Sequence, residues 1–522
     1  MNGAEKLLET LVASGVDVCF SNPGTSEMQL VSAIGNNEGM RAILCLFEGV
    51  VSGAADGYAR MSDKPALTLL HVGSGFSNSM ANLHNARRAH TPVVNIVGDH
   101  ATYHLQYDSP LTSDVPAHAN ICSDWVKVST SADDLAASGA QAVRASMEGA
   151  GKIATLIAPA NHAWEEASQT PGTPLVPVPA TVAEMDVTGA VEALSNGKVS
   201  ALLLGGKALR EDSLAIAGRI AKASGARLLS ETFAARMQRG AGRCPVERLQ
   251  YFSEHVTAQL AGLEQIILVG APAPVSFFAY PGKESWLVPE GCKVIELAGV
   301  DQDLNAALET LADQLGADVD ADATPAAPPQ PPPSGLLTPL AIGQSLTLLM
   351  PTDAIVSDEA ATCGLGIFPT TENAPPHDWL MLTGGAIGQG LPLSLGAAVA
   401  CPDRKVIALQ ADGSAMYTVQ ALWSMARENT DVTVVIMNNR SYAILNIELA
   451  RVGAGQPTPK TLSMLDLSRP DIDWVALAEG MGIPATRANS AEEFHRQFAD
   501  AMEGQGPCLI EAMVVQQMPG SE

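Results

Sequence analysis

The sequence lacks the features that mark secreted, membrane-spanning and cysteine-ligated metal proteins. Its eight cysteines are scattered, with no Cys-x-x-Cys pair and no spacing typical of metal ligands. The first residues begin a helical pattern and lack the basic flank and long apolar core of a secretory signal. No uninterrupted apolar run reaches the roughly 18 residues expected of a membrane-spanning helix. The sequence therefore predicts a cytoplasmic protein with reduced thiols and no membrane partner.

Basic residues are also scarce. The 30 lysine and arginine residues stand against 56 acidic residues, which gives a formal net charge of −26. This charge repels phosphate backbones, so no nucleic-acid partner is expected. No Gly-x-Gly-x-x-Gly motif follows a predicted strand with an acidic residue about 20 positions further on. That absence disfavours a nicotinamide-dependent dehydrogenase, which an α/β fold would otherwise permit.

Apolar residues are plentiful: they fill 47% of the 522 positions, so the chain can form several buried cores. Short aliphatic runs alternate with longer alanine-rich segments of helical period. This alternation is typical of buried parallel strands joined by helices. The predicted strands are residues 66–71, 93–97, 153–158, 200–204, 265–269, 405–410 and 432–437.

Two proline-rich segments, at residues 169–179 and 320–335, interrupt the alternation. Neither is compatible with a helix or a central strand. They divide the chain into units that are each long enough for a doubly wound domain. We therefore predict an α/β fold of three doubly wound parallel-sheet domains. Their ranges are residues 1–165, 182–318 and 336–522, with a proline-rich linker at 319–335.

Polar residues follow two predicted strands of the third unit. One strand runs into Asp412-Gly413 and a helix, and the next strand ends in Asn438-Asn439. Both ends should lie at the carboxyl edge of a parallel sheet, where open α/β sheets bind ligands. Carboxylate, amide and carbonyl oxygens are the ligands that Mg²⁺ prefers, and a helix start can present free N–H groups to phosphate. The pattern predicts a diphosphate held by magnesium; the alternative is an ordinary Asp-Gly turn and a strand end.

Several segments resemble the thiamine diphosphate-dependent acetolactate synthase and benzoylformate decarboxylase family. The third unit is similar to the family's Gly-Asp-Gly and Asn-Asn signature, with Ala411 in place of the first glycine. The segments that resemble its pyrimidine-binding domain and the region beneath its thiazolium ring are residues 21–27, 47–60, 69–78, 85–99 and 383–400. The resemblance implies pyrimidine-binding, central and diphosphate-binding domains, with thiamine diphosphate and Mg²⁺ as cofactors.

The resemblance also implies which residues bind the cofactors. The metal ligands would be Asp412, Asn439 and the carbonyl of Ser441. The cofactor-binding residues would be Glu48, Gly385, Ile387, Gly413, Ser414 and Thr362. The Gly385 carbonyl would accept a hydrogen bond from the 4′-amino group, and Ile387 would support the bent cofactor.

Three residues are predicted to be catalytic. Glu48 has apolar neighbours, and in the family a carboxylate at this place hydrogen-bonds N1′ of the aminopyrimidine; the alternative is a helix-capping residue. His71 ends a predicted strand and matches the active-site histidine of benzoylformate decarboxylase, where histidine suits proton transfer. Thr25 matches that enzyme's catalytic serine. For both residues a structural role is the alternative.

The chain departs from the family at two positions. Phe277 stands where benzoylformate decarboxylase has a second histidine, and Leu445 replaces the glutamate that follows the Asn-Asn motif in pyruvate decarboxylase. These losses favour an acetolactate synthase-like carboligase, which decarboxylates a 2-oxo acid and transfers the acyl carbanion to a second carbonyl. The alternative is a decarboxylase that releases an aldehyde, as benzoylformate decarboxylase does. His100, His104 and His118 are further candidate proton donors; the favoured alternative is that they belong to a solvated polar loop.

FAD is not predicted, because the central unit has no feature that fits the pocket found in acetolactate synthases proper. An inactive partner subunit is a further hypothesis, which the joint presence of Glu48, Asp412 and Asn439 disfavours. The family implies a homodimer or homotetramer with active sites at subunit interfaces. We therefore expect Glu48 and Asp412 from two different chains to share a site.

Overall fold

The computed structural model describes residues 1–168 and 177–515. Residues 169–176, most of the first predicted proline-rich break, lie outside the described part, as do residues 516–522. In chain order the strands are β1 (Val18–Asn22), β2 (Arg41–Leu44), β3 (Ala66–His71), β4 (Val93–Asp99), β5 (Trp125–Val128), β6 (Ile153–Pro159), β7 (Ser200–Leu204), β8 (Arg227–Ser230), β9 (Met237–Arg239), β10 (Glu247–Arg248), β11 (Gln265–Val269), β12 (Lys293–Ala298), β13 (Ala354–Glu359), β14 (His377–Met381), β15 (Val406–Ala411), β16 (Val432–Asn438), β17 (Ala485–Ala488) and β18 (Cys508–Met513).

Helices join these strands. The α-helices are α1 (Gly3–Ala13), α2 (Met28–Gly35), α3 (Glu48–Ser62), α4 (Val72–Arg88), α5 (Val115–Cys122), α6 (Ala132–Ser146), α7 (Ala160–Trp164), α8 (Glu184–Ser195), α9 (Glu211–Ser224), α10 (Ser253–Leu260), α11 (Leu304–Leu315), α12 (Pro339–Leu349), α13 (Gly364–Thr370), α14 (Gly390–Ala400), α15 (Asp412–Ala415), α16 (Ala421–Glu428), α17 (Ala443–Arg451), α18 (Pro459–Ser463), α19 (Trp474–Gly480) and α20 (Ala491–Glu503). Short 3₁₀ helices lie at Thr25–Glu27, Leu105–Tyr107, Gly206–Leu209 and Met416–Thr418.

Three sheets form, which confirms the α/β architecture. The first sheet has the parallel order β2-β1-β3-β4-β6-β5, and the second has the parallel order β10-β8-β7-β11-β12. The third has the order β17-β18-β16-β15-β13-β14-β9, and β9 alone runs antiparallel to its neighbour. Every strand predicted from the sequence is present, because fully buried strands carry the continuous aliphatic runs. They are β3, β4, β6, β7, β11, β15 and β16.

The strand orders create ligand-binding edges in the first and third sheets. From β1 the first sheet grows in one direction through β2 and in the other through β3, so the loops after β1 and β3 diverge. In the third sheet the chain leads from β13 to β14 on one side and from β15 to β16 on the other, so the loops after β13 and β15 also diverge. Open α/β sheets bind ligands at such switch points, outside the carboxyl ends of the strands.

One strand crosses a predicted domain boundary. β9 belongs to the chain region predicted as the central domain, yet it pairs with β14 of the third sheet. Apart from β9, the three sheets lie within the predicted ranges, and the boundaries themselves stay a prediction. Residues 319–335 contain no helix or strand, as their proline content indicated.

The first and third sheets are joined through α3 and α14. A Cβ on Gly57 would lie 2.0 Å from the carbonyl oxygen of Leu393, and one on Gly396 would lie 1.8 Å from that of Ala54. Only glycine permits backbones to approach this closely. This contact fixes the first domain against the helix that follows residues 383–389.

Two further observations concern the helices and the cysteines of the described residues. No helix among them combines the length and apolar character needed to cross a membrane. Each of the eight cysteines is a free thiol.

Candidate active site

His71 lies at the carboxyl edge of the first sheet. It ends β3 and is the N-cap residue of α4. Its Nδ1 lies 2.9 Å from Oε2 of Glu27 and 3.2 Å from Oγ of Ser26. Glu27 is fully buried and also accepts a hydrogen bond from the N–H of Gly24, at 2.7 Å. Because the carboxylate engages Nδ1, it orients the imidazole and leaves Nε2 without a partner in the described residues.

Tight backbone geometry supports this histidine. A Cβ on Gly24 would lie 2.2 Å from Nδ1 of His71, and one on Gly98 would lie 1.9 Å from Oε1 of Glu27. The next residue, Val72, has a φ of 43°, a conformation that β-branched residues rarely adopt. Such strain persists only where the surrounding packing determines the conformation, and it is often found at functional sites.

Ser26, not Thr25, contacts the histidine ring. Thr25 is exposed in the 3₁₀ turn after β1, and its catalytic role stays a prediction. Sequence reasoning missed Ser26 and Glu27, because they lie 45 and 44 residues from His71 along the chain. The one signal that could have found them is their place at the end of β1, beside the end of β3.

Glu48 is the first residue of α3 and is buried, with 7% of its surface exposed. Its Oε2 accepts a hydrogen bond from the Asn78 amide at 3.0 Å. A Cβ on Gly75 would lie 2.9 Å from its Oε1. Both neighbours lie on α4, the helix that begins after His71. The structure therefore brings two of the three predicted catalytic residues to the same helix start.

Asp412 follows β15 and is buried, as the first residue of the short helix α15. The predicted helix thus begins at Asp412 itself rather than after Gly413. Its Oδ1 accepts from the Gly413 N–H at 2.9 Å and its Oδ2 from the Arg440 N–H at 2.7 Å. Burial raises the pKa of Asp412 to about 6, and the N–H groups that donate to it oppose this rise.

The two predicted asparagines have different partners. The side chain of Asn438 is buried and donates to Oε1 of Glu511 at 2.7 Å. Asn439 is half-buried in the loop, where its Oδ1 accepts from the Ser441 N–H at 2.9 Å. The N–H of Arg440, the residue after Asn439, donates to Asp412 and places this loop beside α15. The predicted ligands Asp412, Asn439 and Ser441 thus lie together on adjacent loops.

The loop from Gly384 to Gly388 is held from two sides. Side chains of α4 bind its alternate carbonyls: Asn85 donates to Ala386 at 2.7 Å and Asn82 to Gly388 at 3.1 Å. His84 Nε2 lies 3.1 Å from the Gly384 carbonyl. Within the described residues no donor reaches the Gly385 carbonyl, the predicted acceptor for the cofactor's amino group.

Glu359, at the end of β13, holds the other side of this loop. Its carboxylate accepts from the N–H groups of Gly388, Gln389 and Gly390, at 2.7, 3.2 and 2.8 Å. Burial raises the pKa of Glu359 to about 7, against the lowering effect of these donors. Sequence reasoning missed this residue, because its partners are backbone groups about 30 residues further along the chain.

An aromatic cluster covers Gly385. A Cβ on Gly385 would lie 2.7 Å from the ring of Phe277. The Phe277 ring centre lies 5.5 Å from those of Phe233 and Tyr251 and 4.8 Å from that of Phe278. Phe277, which stands where the family has a second histidine, therefore lies at the predicted cofactor site among other aromatic rings, and 41% of its surface is exposed.

The remaining predicted residues lie around these groups. Thr362 follows β13, Ser414 is buried in α15, and Ile387 is half-buried in the loop beside Gly385. Their contacts with a cofactor stay predictions. Leu445 is exposed on α17.

The three loop histidines do not form one group. His118 Nδ1 lies 2.7 Å from Oγ of Ser77 on α4, the helix that begins after His71. His100 instead lies near His104, with their ring centres 5.5 Å apart and their planes tilted by 47°.

Known proteins match this chain over both regions that carry candidate site residues, at the edges of the first and third sheets. Residues 1–119 match the N-terminal and residues 366–512 the C-terminal TPP binding domain of the thiamine pyrophosphate enzymes. The chain is 51% identical to a Mycobacterium tuberculosis protein named "Putative acetolactate synthase large subunit IlvX", over 98% of this chain and 99% of that protein. It is 29% identical to benzoylformate decarboxylase of Pseudomonas aeruginosa, over 96% and 97% of the two chains. A solved thiamine diphosphate-dependent 4-hydroxybenzoylformate decarboxylase of Rhodococcus jostii RHA1 superposes with a TM-score of 0.87 at 26% identity, over 99% and 100% of the two chains.

The three parallel sheets, with polar sites at the edges of the first and third, define a thiamine diphosphate-dependent enzyme. Within that class, the chain belongs to the acetolactate synthase and benzoylformate decarboxylase family. The resemblance found in the sequence is thereby confirmed.

Proposed function

We propose that the protein uses thiamine diphosphate and Mg²⁺ to decarboxylate a 2-oxo acid and joins the remaining acyl unit to a second carbonyl. The observation that carries this proposal is the aromatic wall of Phe277 at Gly385. The phenyl ring of Phe277 supplies no proton where a histidine would, which favours an attack on a second carbonyl over protonation. The relative named as an acetolactate synthase large subunit supports the same reaction class.

The oxygen atoms present at the site fit both thiamine diphosphate and Mg²⁺. In the described part of the chain the Gly385 carbonyl has no hydrogen-bond donor, as an acceptor for an added amino group should. A carboxylate, an amide oxygen and a carbonyl from Asp412, Asn439 and Ser441 match the oxygen ligands of Mg²⁺. Among the described residues no group of three or more His, Cys, Asp or Glu side chains could hold a metal ion, so this site depends on the mixed set. When bound, thiamine diphosphate supplies the electron sink that decarboxylation of a 2-oxo acid requires.

The chain's own residues then have distinct tasks. Glu48, buried and oriented by Asn78, would hold a hydrogen bond to N1′ of the aminopyrimidine. His71, oriented by Glu27, would accept or donate a proton at the substrate oxygen through Nε2. Phe277 would supply no proton next to the reacting atoms. Each task requires a group held in place before substrate binds, and the hydrogen bonds given above supply that.

Release of an aldehyde is the second candidate, and the His71–Glu27 pair favours it. A histidine whose Nδ1 is bound to a carboxylate can deliver a proton from Nε2, and this would end the reaction without a second carbonyl. The relatives named as benzoylformate and 4-hydroxybenzoylformate decarboxylases also favour this candidate.

Product analysis distinguishes the two reactions. The purified protein is incubated with thiamine diphosphate and Mg²⁺ and with pyruvate, longer 2-oxo acids or benzoylformate, and acyloins are separated from aldehydes by mass spectrometry. We expect acyloins as the main products, no turnover when a chelator removes the metal, and more aldehyde from Phe277→His. Aldehyde as the main product of every substrate would overturn the carboligase proposal. If no substrate loses carbon dioxide, the decarboxylation itself is wrong.

A further inference from the structure

A cavity of about 650 Å³ lies between the second and third sheets. Residues of α9, β8, β10 and α13 line it, at the amino end of β8. Ligands of open α/β sheets bind at the opposite, carboxyl ends of the strands. None of the candidate active-site residues lines this cavity, so it is separate from that site, and two arginines, Arg239 and Arg248, are part of its lining.

These two arginines enclose a phenylalanine ring. The guanidinium carbon of Arg239 lies 3.8 Å from the ring centre of Phe368, and that of Arg248 lies 3.9 Å from it. Two guanidinium groups this close to one ring centre cannot share a face, so the ring is sandwiched between them. The stack brings two positive charges to one wall of the cavity.

Neither arginine has an ion pair within the described residues. Nη1 of Arg239 donates to the Phe368 carbonyl at 2.9 Å and to Oγ1 of Thr371 at 3.0 Å, while its Nε and Nη2 have no partner. Besides its stack on Phe368, Arg248 makes one side-chain hydrogen bond in the described residues, from Nη1 to the sulfur of Met381 at 3.7 Å. Burial, reinforced by Arg248, lowers the pKa of Arg239 to about 9. Other well-buried arginines pair with carboxylates, as Arg60 does with Asp56, Arg236 with Asp378 and Arg243 with Glu211.

Two carboxylates act on this pair electrostatically, Asp358 on both arginines and Glu372 on Arg239, but neither forms an ion pair with them in the described residues. Glu247 is engaged by Arg227 at 2.6 Å, and Asp322 by Lys222 at 2.9 Å. Glu372 also lines the cavity, but it is exposed to solvent. Because no carboxylate among the described residues forms an ion pair with either arginine, their remaining N–H groups are available to an added anion.

We propose that this cavity binds an organic phosphate through Arg239 and Arg248. The planar fork of arginine matches phosphate oxygens, and unpaired N–H groups remain on both side chains. The volume lies within the range of small-molecule sites, and Leu228, Met237 and Val246 add apolar surface for the organic part. The proposal does not depend on which reaction the enzyme catalyses.

Calorimetry on the holoenzyme tests this site. The enzyme is first saturated with thiamine diphosphate and Mg²⁺ so that its diphosphate site is filled, and it is then titrated with AMP, glucose 6-phosphate or inorganic phosphate. We expect at least one ester to bind with a Kd below about 1 mM and more tightly than inorganic phosphate. Arg239→Met and Arg248→Met should each weaken this binding at least tenfold, and Arg248→Lys, which keeps the charge without the fork, should weaken it less.

A matched control is Arg427→Met. Arg427 also stacks on an aromatic ring, 5.4 Å from the centre of Trp423, but it lies outside the cavity. The Arg427→Met variant should bind the ester as tightly as the parent protein does. If Arg239→Met fails to fold, the Arg248 variants decide, because Arg248 donates no hydrogen bond to a protein oxygen in the described residues. Absence of binding by the parent, equal binding by the Arg248 variants, or inorganic phosphate binding as tightly as both esters would each overturn the proposal.

Discussion

At the residue scale, Asp412 shows how the backbone prepares a ligand. Both of its oxygens already accept a backbone N–H, so the carboxylate is oriented before any metal arrives. Its burial disfavours the ionised form unless a cation is present. A metal ion at this place would therefore stabilise a charge that the fold positions but does not neutralise.

We predict that Asp412→Ala weakens thiamine diphosphate binding in the presence of Mg²⁺ by at least tenfold, about 1.4 kcal/mol, because the metal loses a charged ligand. Calorimetric titration of the apoenzyme measures this. The control is Asp403→Ala, which changes an exposed carboxylate beyond the other end of β15. Undiminished affinity in Asp412→Ala would mean that the metal site lies elsewhere.

Glu48 is predicted to act by hydrogen bonding rather than by shape. Glu48→Gln should bind the cofactor nearly as the parent does, because the amide keeps the size and can still meet Asn78. It should lose most activity, since an amide cannot favour the required tautomer of the aminopyrimidine. Exchange of the C2 proton of the bound cofactor into heavy water, followed by NMR, is the direct measurement. Exchange as fast as in the parent would exclude the assigned role.

At the scale of elements, the seven predicted strands are all interior strands, whereas every edge strand and the interior strands β1, β8, β13, β14 and β18 were not predicted. β4 and β6 are buried along their whole length, so their aliphatic runs identify them. β10 has two residues and β9 three, and neither carries a run long enough to recognise. The pairing of β9 with a strand of another domain depends on tertiary contacts that no local pattern encodes.

The residues of the candidate site also fall into two groups, those that the sequence predicted and those that it did not. Local patterns and the family resemblance together singled out Glu48, His71 and Asp412, because each ends or follows a predicted strand or opens a glycine-rich helix. The residues that hold them were not predictable, since Glu27 reaches His71 across the sheet and Glu359 binds backbone groups of a distant loop. Supporting contacts of this kind depend on strand order, which one sequence does not specify.

The start of β14 carries a buried histidine that should make stability depend on pH. His377 is fully buried; its Nδ1 lies 2.7 Å from the Pro375 carbonyl and its Nε2 has no partner in the described residues. Burial, with the positive charge of Arg239, lowers the pKa of His377 to about 3. The unfolded chain takes up this proton near pH 6.5. The stability that His377 contributes is therefore present above about pH 6.5 and is lost as the pH falls toward 3.

His377→Gln should reduce this pH dependence, because glutamine takes up no proton in either state. Urea unfolding of both proteins at several pH values between 7.5 and 4.5 gives the free energy of unfolding. We expect the difference between parent and variant to shrink as the pH falls below about 6.5. A constant difference over this range would show that the histidine titrates equally in the folded and unfolded states.

At the scale of the whole molecule, one chain leaves its Gly385 carbonyl open on one side. The carbonyls of Gly384, Ala386 and Gly388 are taken by α4 of the same chain. A cofactor amino group that meets Gly385 must therefore approach from the face away from that α4, and α4 also carries the Asn78 that orients Glu48. This supports our proposal that the Glu48 that serves the cofactor belongs to a second subunit.

The shared-site proposal predicts that two inactive variants restore each other. In a dimer with two-fold symmetry, each site would combine Glu48 of one chain with Asp412 of the other. A mixed dimer of Glu48→Gln and Asp412→Ala chains then has one site free of both changes and one site with both. Random pairing makes half of the dimers mixed, so up to about a quarter of the parent's specific activity should return.

The measurement is activity after the two purified variants are mixed under conditions that allow subunits to exchange, with native mass spectrometry to count hybrids. Each variant incubated alone under the same conditions is the control and should stay inactive. Since a hybrid regains a site only if its two halves come from different chains, the activity should rise in proportion to the hybrid fraction. Hybrids without activity would place Glu48 and Asp412 of one site on the same chain.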